Sequence, residues 1–172
     1  MEKKYIVGMF SVLVLTMFVV GLNIGSVGDN LVGDGLDYGS NVCVYKNDEL
    51  IGCQENVVTT AGLNYARGAL SGTVTNISEL ALGNTTAPAV GETALAGVYT
   101  THGLAKIAGA YNANGNGNWS IAYTWTATAG PTDVNTTALY NAGVNMFAGT
   151  TFAKTTLQTS DSLKVNYTLW VS

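Results

Sequence analysis

Two stretches of the chain alternate between apolar and polar or small side chains, and this period of two is the strongest constraint on the fold. Residues 119–127 place Trp, Ile, Tyr, Trp and Ala at every second position. Residues 163–171 repeat the pattern with Leu, Val, Tyr, Leu and Val. Such alternation predicts half-buried β-strands with one apolar face. The fold must therefore bury one face of at least two strands.

Shorter strand-like segments and polar turns account for most of the sequence beyond residue 42. Clusters of Gly, Asn, Pro and Asp at 112–117 and 130–133 predict turns between these segments. We predict further strands near 77–82, 104–110, 137–141 and 146–153. Several antiparallel strands joined by polar turns predict an all-β fold, an antiparallel β-sandwich or jelly-roll-like domain over residues 42–172.

Residues 59–70 form the one stretch of this region with a helical pattern. Thr59 or Thr60 is a suitable N-cap, and Gly72 is a suitable residue to end the helix. The apolar face of this helix consists of Leu63, Ala66 and Leu70. We therefore predict one short helix within an otherwise β-rich domain.

The two cysteines lie in the sequence VCVYKNDELIGC. A turn centred on Asp48 places Cys43 and Cys53 opposite each other across a β-hairpin. An oxidising compartment then favours a disulfide between them. Zinc binding is the competing interpretation, but two thiols without a third ligand nearby make a poor site. We predict the disulfide hairpin 43–53 and no metal or other cofactor.

The first 28 residues predict export from the cytoplasm. Lys3 and Lys4 precede a largely apolar run at residues 5–24. A basic start followed by such a run is typical of a signal peptide or a membrane anchor. Three interpretations are open: cleavage after Gly28, a pilin-like cut after Gly8 that keeps a hydrophobic helix, or retention of the whole segment as an anchor.

Two features of the N-terminal region suit contacts between subunits. Gly21 and Gly25 have the spacing that lets two apolar helices approach closely. Residues 29–41 are rich in Gly and Asp and are predicted to form a linker. Within that linker, the segment from Leu31 to Leu36 is a candidate to add as a strand to a neighbouring subunit.

Charge and composition exclude several classes of function. Only 10% of the residues are charged and the formal net charge is −4, so nucleic acid is not an expected partner. Low surface charge also removes a common deterrent to self-association. His102 is the sole histidine, and no pair of carboxylates is placed for acid–base chemistry. We predict that the protein is not an enzyme and has no catalytic residues.

Several polar and aromatic residues are candidate surface sites. Trp170 falls in the polar phase of its strand and is a candidate interface anchor. Together with Tyr99 and Tyr111 it is also a candidate platform for carbohydrate. Five triplets match the acceptor pattern for N-glycosylation, at Asn76, Asn84, Asn118, Asn135 and Asn166.

The order of motifs from about residue 56 to the C-terminus resembles a family of tailed-phage virion proteins of the tail-fibre or tail-appendage type. The matching segments are 57–63, 80–88, 92–95, 103–105, 119–127, 138–142, Phe147, Ala148, Phe152 and 161–169. The resemblance covers about two thirds of the chain and concerns turns and core positions. It implies an all-β module used in symmetric assemblies, without catalytic residues.

These features predict a self-assembling structural subunit of an extracellular, pilus-like filament on the cell surface. The expected partners are copies of the same chain, and the N-terminal segment contacts the membrane at least during export. Two alternatives stay open, a virion structural protein and a monomeric surface adhesin or binding module.

Overall fold

The computed structural model describes residues 38–70, 76–115, 117–142 and 145–171. Within these ranges the chain forms ten strands and one helix, and every strand pairing is antiparallel. The predicted all-β class is therefore confirmed. The predicted N-terminal helix and most of the predicted linker lie outside the described residues.

The strands form two five-stranded sheets. The first sheet has the order β2-β1-β10-β7-β6, with β1 Tyr38–Lys46, β2 Glu49–Glu55, β6 Ala110–Gly115, β7 Asn118–Thr126 and β10 Ser162–Val171. The second sheet has the order β3-β9-β8-β4-β5, with β3 Val57–Val58, β4 Ile77–Gly83, β5 Ile107–Ala108, β8 Thr132–Asn141 and β9 Met146–Leu157. Helix α1 spans Thr60–Leu70.

The two alternating stretches are central strands of the first sheet, as the period of two predicts. β10 pairs with β7 in a register that sets Tyr167 opposite Ile121 and Leu163 opposite Trp125. All four of these side chains are buried. Side chains of matching phase therefore meet across the pair and supply one apolar face.

One hydrophobic cluster draws on both sheets. The first sheet contributes Val42, Val44, Ile121, Trp125, Leu163, Val165, Tyr167 and Leu169. The second sheet contributes Leu80, Leu82, Val134, Leu139, Phe147, Ala148, Phe152 and Leu157. This cluster is the main core of the described region.

The second sheet is covered on its other face by the long connection after β4. A second cluster joins Leu95 of that connection to Tyr140 of β8 and Met146 of β9. The Tyr140 hydroxyl accepts a hydrogen bond from the Leu95 backbone N–H at 2.7 Å. Because both faces are covered, even Thr137 is fully buried, and its hydroxyl donates to the Ala81 carbonyl at 3.1 Å.

Two segments pass from one sheet to the other with a single residue between strands. Asn56 separates β2 from β3, and Gly109 separates β5 from β6. A Cβ added at Gly109 would lie 2.7 Å from Ile121 Cγ2 and 3.0 Å from Leu80 Cδ1. Glycine therefore lets the backbone cross where apolar side chains of both sheets leave no room for a substituent.

Helix α1 is fixed to β9 at its first turn. Thr59 caps it, because its hydroxyl accepts the Gly62 N–H at 3.0 Å while donating to the Met146 carbonyl at 2.6 Å. Tyr65 packs edge-to-face on Phe147 with 6.0 Å between the ring centroids. The predicted helix and its Thr59 cap are confirmed, whereas Gly72 lies outside the described residues. No helix in the described part of the chain is long and apolar enough to cross a membrane.

Two boundaries differ from the predictions. β1 begins at Tyr38, four residues inside the predicted linker, because Gly39 pairs with Trp170 and its missing side chain makes room for the indole. β6 continues through Gly115, so most of the predicted turn at 112–117 is strand. Gly115 has a φ of +83°, a conformation that glycine adopts freely at the end of a hairpin strand.

Candidate assembly surface

The cysteine hairpin forms through a turn and a compensating bulge. Asn47 and Asp48 both have positive φ, as in a two-residue type I′ turn. This turn alone would set Cys43 opposite Gly52, since Tyr45 pairs with Leu50 next to it. Ile51 is an extra residue in β2, and the register shift brings Cys43 opposite Cys53.

The predicted disulfide joins these two cysteines. It lies on the face of the first sheet that points away from the core, since the neighbours Val42 and Val44 are fully buried and Cys53 is exposed. The bond staples an outer hairpin and leaves the core packing to apolar side chains.

The β2 edge of the first sheet is engaged with the second sheet. The Gln54 side-chain amide donates to the Thr151 carbonyl, and the Thr150 hydroxyl donates to the Glu55 carbonyl at 3.3 Å. Glu49 and Glu55 add negative charge, and the bulge at Ile51 interrupts the regular row of backbone groups. Charges and bulges of this kind discourage pairing with another strand.

The opposite edge has a different character. Residues 107–115, comprising β5, Gly109 and β6, contain no charged residue and no proline, and we call them the open edge. Every residue of β6 is exposed, and Tyr111 retains 65% of its surface. Ile107 is 38% exposed. An exposed edge strand of six residues that carries no charge and no proline can act as a template for another β-strand.

The charged residues next to the open edge are occupied within the chain. Lys106 forms an ion pair with Glu79 at 2.6 Å and lies 4.9 Å from the centroid of the Tyr140 ring. Because this lysine is held against the second sheet, it does not extend along β6, and its charge does not protect that strand from pairing. The uncharged character of the open edge therefore extends over its whole length.

Of the three aromatic residues considered as a platform, the structure leaves Tyr111 most accessible. The Trp170 indole is half-buried and lies over Gly39. The Tyr99 hydroxyl donates to the Asp133 carbonyl at 2.5 Å, and burial, with the nearby Asp133 charge, raises the Tyr99 pKa. Tyr99 and Trp170 therefore serve packing within the chain. The other interface candidates, Leu31, Leu36, Gly21 and Gly25, lie outside the described residues.

The five glycosylation triplets differ in access. Asn76 and Asn84 are exposed. The three others, Asn118, Asn135 and Asn166, are half-buried. Asn76 and Asn84 are therefore the most accessible acceptors.

A groove of about 350 Å³ lies beside α1. It is lined by Ala61, Asn64, Tyr65, Asn141, Asn145 and Phe147. The Asn145 N–H donates to the Asn141 side-chain oxygen at 3.2 Å, which fixes one of the amides. Amides that both donate and accept, next to a partly exposed tyrosine, suit a hydroxyl-rich ligand.

The sole histidine and the possible metal ligands can also be located in the structure. His102 lies in an exposed loop with a φ of +60°, and its Nδ1 is 3.4 Å from the Thr132 hydroxyl. Within the described ranges no group of three or more His, Cys, Asp or Glu side chains is placed to hold a metal ion.

Sequence reasoning missed the open edge. It predicted a strand near 104–110 but assigned 112–117 to a turn, because Asn and Gly are the usual turn residues. The available signal was the absence of charge between Lys106 and the next strand.

Comparison with known proteins finds no matching family model, and neither a curated protein nor a solved structure matches the chain significantly. The resemblance to tail-fibre proteins therefore stays a prediction.

Proposed function

We propose that this chain is a self-assembling structural subunit of an extracellular, pilus-like filament on the cell surface. The observation that carries the proposal is the open edge, six exposed residues of β6 with no charge and no proline beside a two-residue continuation in the second sheet. An exposed edge of this kind favours pairing with another strand, and natural proteins that remain monomeric usually protect such edges. This surface supports a role as a building block of an assembly.

Other features support the same role. The Cys43–Cys53 disulfide is the kind of crosslink that persists in oxidising, extracytoplasmic compartments. The low charged fraction limits repulsion between copies. The apolar run at 5–24 suits export and, in the pilin-like interpretation, a helical filament core.

We also propose that the two sheets pack face to face as a β-sandwich. The shared hydrophobic cluster and the position of Gly109 between Leu80 and Ile121 support this arrangement. Each long side would then be bridged by one segment that changes sheets, at Asn56 and at Gly109. Such a rigid unit suits repeated stacking in an assembly.

The experiment that tests the function is negative-stain electron microscopy of material sheared from the native cell surface, with intact-mass analysis of the same fraction. The proposal expects filaments that contain this chain. The mass distinguishes a chain that starts near Met9 from one that starts near Asp29 and from the unprocessed chain. Recovery of the chain only as a monomer, or only in virus particles, would overturn the proposal.

One observation favours a second candidate function, a surface module that binds carbohydrate. The groove beside α1 is lined by three asparagines and by the half-buried Tyr65. A glycan array probed with the wild-type chain and with the variant Asn141→Leu tests this candidate. Binding that the variant loses would support an adhesin, and equal signals from both chains would exclude this groove as the site.

A further inference from the structure

The two edges of the first sheet are not equivalent. β2 is closed by side-chain hydrogen bonds to β9, by two glutamates and by the bulge at Ile51. β6 has none of these protections along Ala110–Ala113, and its one bulge lies beyond that stretch, at Asn114. Each copy of the first sheet therefore offers one edge to a partner strand.

A contact that uses the same single edge on both partners must be two-fold symmetric. Residues near a two-fold axis face their own symmetry mates, so any charge there meets a like charge. β2, with glutamates at both ends, is unsuited to such a contact. The open edge satisfies this requirement because residues 107–115 carry no charge.

The regular part of β6 determines the register of such a pair. In the first sheet Tyr111 lies opposite Ile121, whereas Asn112 lies opposite Ser120, so the two alternate between faces. An axis at Tyr111 sets this residue opposite its own mate and sets Ala110 opposite Asn112 of the second copy. This register keeps the bulge at Asn114 outside the central pairs. It also buries two tyrosine rings that are each 65% exposed in the single chain.

We propose that two copies of this chain pair antiparallel through β6, with the two-fold axis at Tyr111, to form one continuous ten-stranded sheet. Backbone hydrogen bonds supply the attraction and the facing Tyr111 rings set the register. The inference rests on the proposed function and names the contact that it uses. Because a two-fold contact closes on itself, it makes pairs, and a filament requires a second contact elsewhere on the chain.

Cysteine crosslinking of the full-length chain tests the register. In Tyr111→Cys the two introduced Cα atoms lie about 5 Å apart across the axis, within reach of a disulfide. The matched control is Asn112→Cys on the same exposed strand, whose Cα atoms lie more than about 7 Å apart and on the other face. Val90→Cys, at an exposed position in a loop, reports random collisions. Each variant is oxidised mildly and its dimer fraction is read on a non-reducing gel.

The result expected is that most of the Tyr111→Cys chain becomes a covalent dimer while both controls stay monomeric. Equal crosslinking of all three variants, or none in any of them, would overturn the inference. Electron microscopy of the material sheared from the native cell surface distinguishes failure of this inference from failure of the proposed function. Filaments without crosslinking at Tyr111 would remove the inference and leave the function, whereas crosslinked pairs without filaments would support the pairing and remove the filament role.

A second variant covers the case in which the cysteine disturbs the strand. Tyr111→Lys keeps the strand solvated but sets two like charges face to face at the axis. We expect it to weaken pairing about tenfold, by loss of the ring contact and gain of repulsion. Leu50→Lys on the protected β2 edge, where Leu50 is 53% exposed, should leave pairing unchanged. Analytical ultracentrifugation measures the dimer dissociation constant of each variant, and equal constants for the two variants would contradict the proposed contact.

Discussion

Single glycines set how closely the elements of this protein approach one another. Gly39 leaves space for the Trp170 indole, Gly62 lies against the Phe147 carbonyl, and Gly109 sits between side chains of two sheets. From the sequence alone, each of these glycines is expected to destabilise the strand or helix in or beside which it lies. Their packing role depends on partners distant in sequence, so it could not be read from the chain.

Gly62→Ala should destabilise the protein. A Cβ at this position would lie 2.1 Å from the Phe147 carbonyl oxygen, so α1 must move away from β9. We expect a loss of about 1–3 kcal/mol in the free energy of unfolding, as for other overpacked sites. The matched control is Gly52→Ala, because a Cβ there meets nothing within 4 Å. Thermal unfolding monitored by circular dichroism compares the two, and equal melting temperatures would contradict the described docking of α1.

Asp161 joins the β1–β2 turn to the start of β10. Its carboxylate accepts hydrogen bonds from the Asn47 amide at 2.9 Å and the Gln158 N–H at 2.8 Å, and it pairs with Lys46 at 3.0 Å. These contacts lower the Asp161 pKa to about 2. Because the folded pKa lies below the unfolded value, this stabilisation is present above about pH 4 and is lost as pH falls toward 2.

The variant Asp161→Asn measures this contribution. At pH 7 it should melt below the wild type, and the gap between the two melting temperatures should shrink as pH approaches 2. Asp48→Asn, which removes an exposed carboxylate from the same turn, is the control and should show little effect at either pH. A gap for Asp161→Asn that stays constant from pH 7 to pH 2 would show that its carboxylate charge contributes no stability.

At the scale of elements, strands with one buried face were predicted more accurately than strands that are buried on both faces. β7 and β10 alternate clearly because one face is buried, and both were predicted. β8 and β9 extend well beyond the predicted 137–141 and 146–153. The C-terminal half of β8 is buried on both faces, and it includes the buried threonines Thr136 and Thr137, which hides the alternation. The connection that covers the second face of β8 is distant in sequence, so the sequence of β8 itself does not indicate this burial.

The disulfide hairpin was predictable in outcome but not in mechanism. The spacing of the cysteines allowed a facing pair, whereas the bulge at Ile51 that produces it required the pairing register. Cys43→Ser with Cys53→Ser should lower the free energy of unfolding by about 2–3 kcal/mol, since the bond closes a short loop. The two-sheet structure should persist, because neither sulfur belongs to the main hydrophobic cluster. Denaturant unfolding of the oxidised and double-serine proteins tests this, and identical midpoints would contradict a stapling role.

At the scale of the whole molecule, the first sheet has one protected and one open edge, and the chain carries little charge. Composition predicts self-association, but locating the proposed contact requires knowing which strand ends the sheet. β6 follows β5 along the chain but belongs to the other sheet. Nothing in the sequence at Gly109, the single residue between them, indicates this change of sheet. The fold class was thus predictable from periodicity, whereas the open edge was not.

Hydrogen–deuterium exchange of the assembled protein, compared with the dissociated chain, tests the central claim of assembly through the open edge most directly. The peptide that covers residues 110–113 should exchange much more slowly in the assembly, because its outward backbone groups become paired. The peptide that covers residues 50–54 on the β2 edge serves as the internal reference and should be unchanged. Equal exchange of residues 110–113 in both states would contradict the account, since it would show that the assembly leaves β6 unpaired.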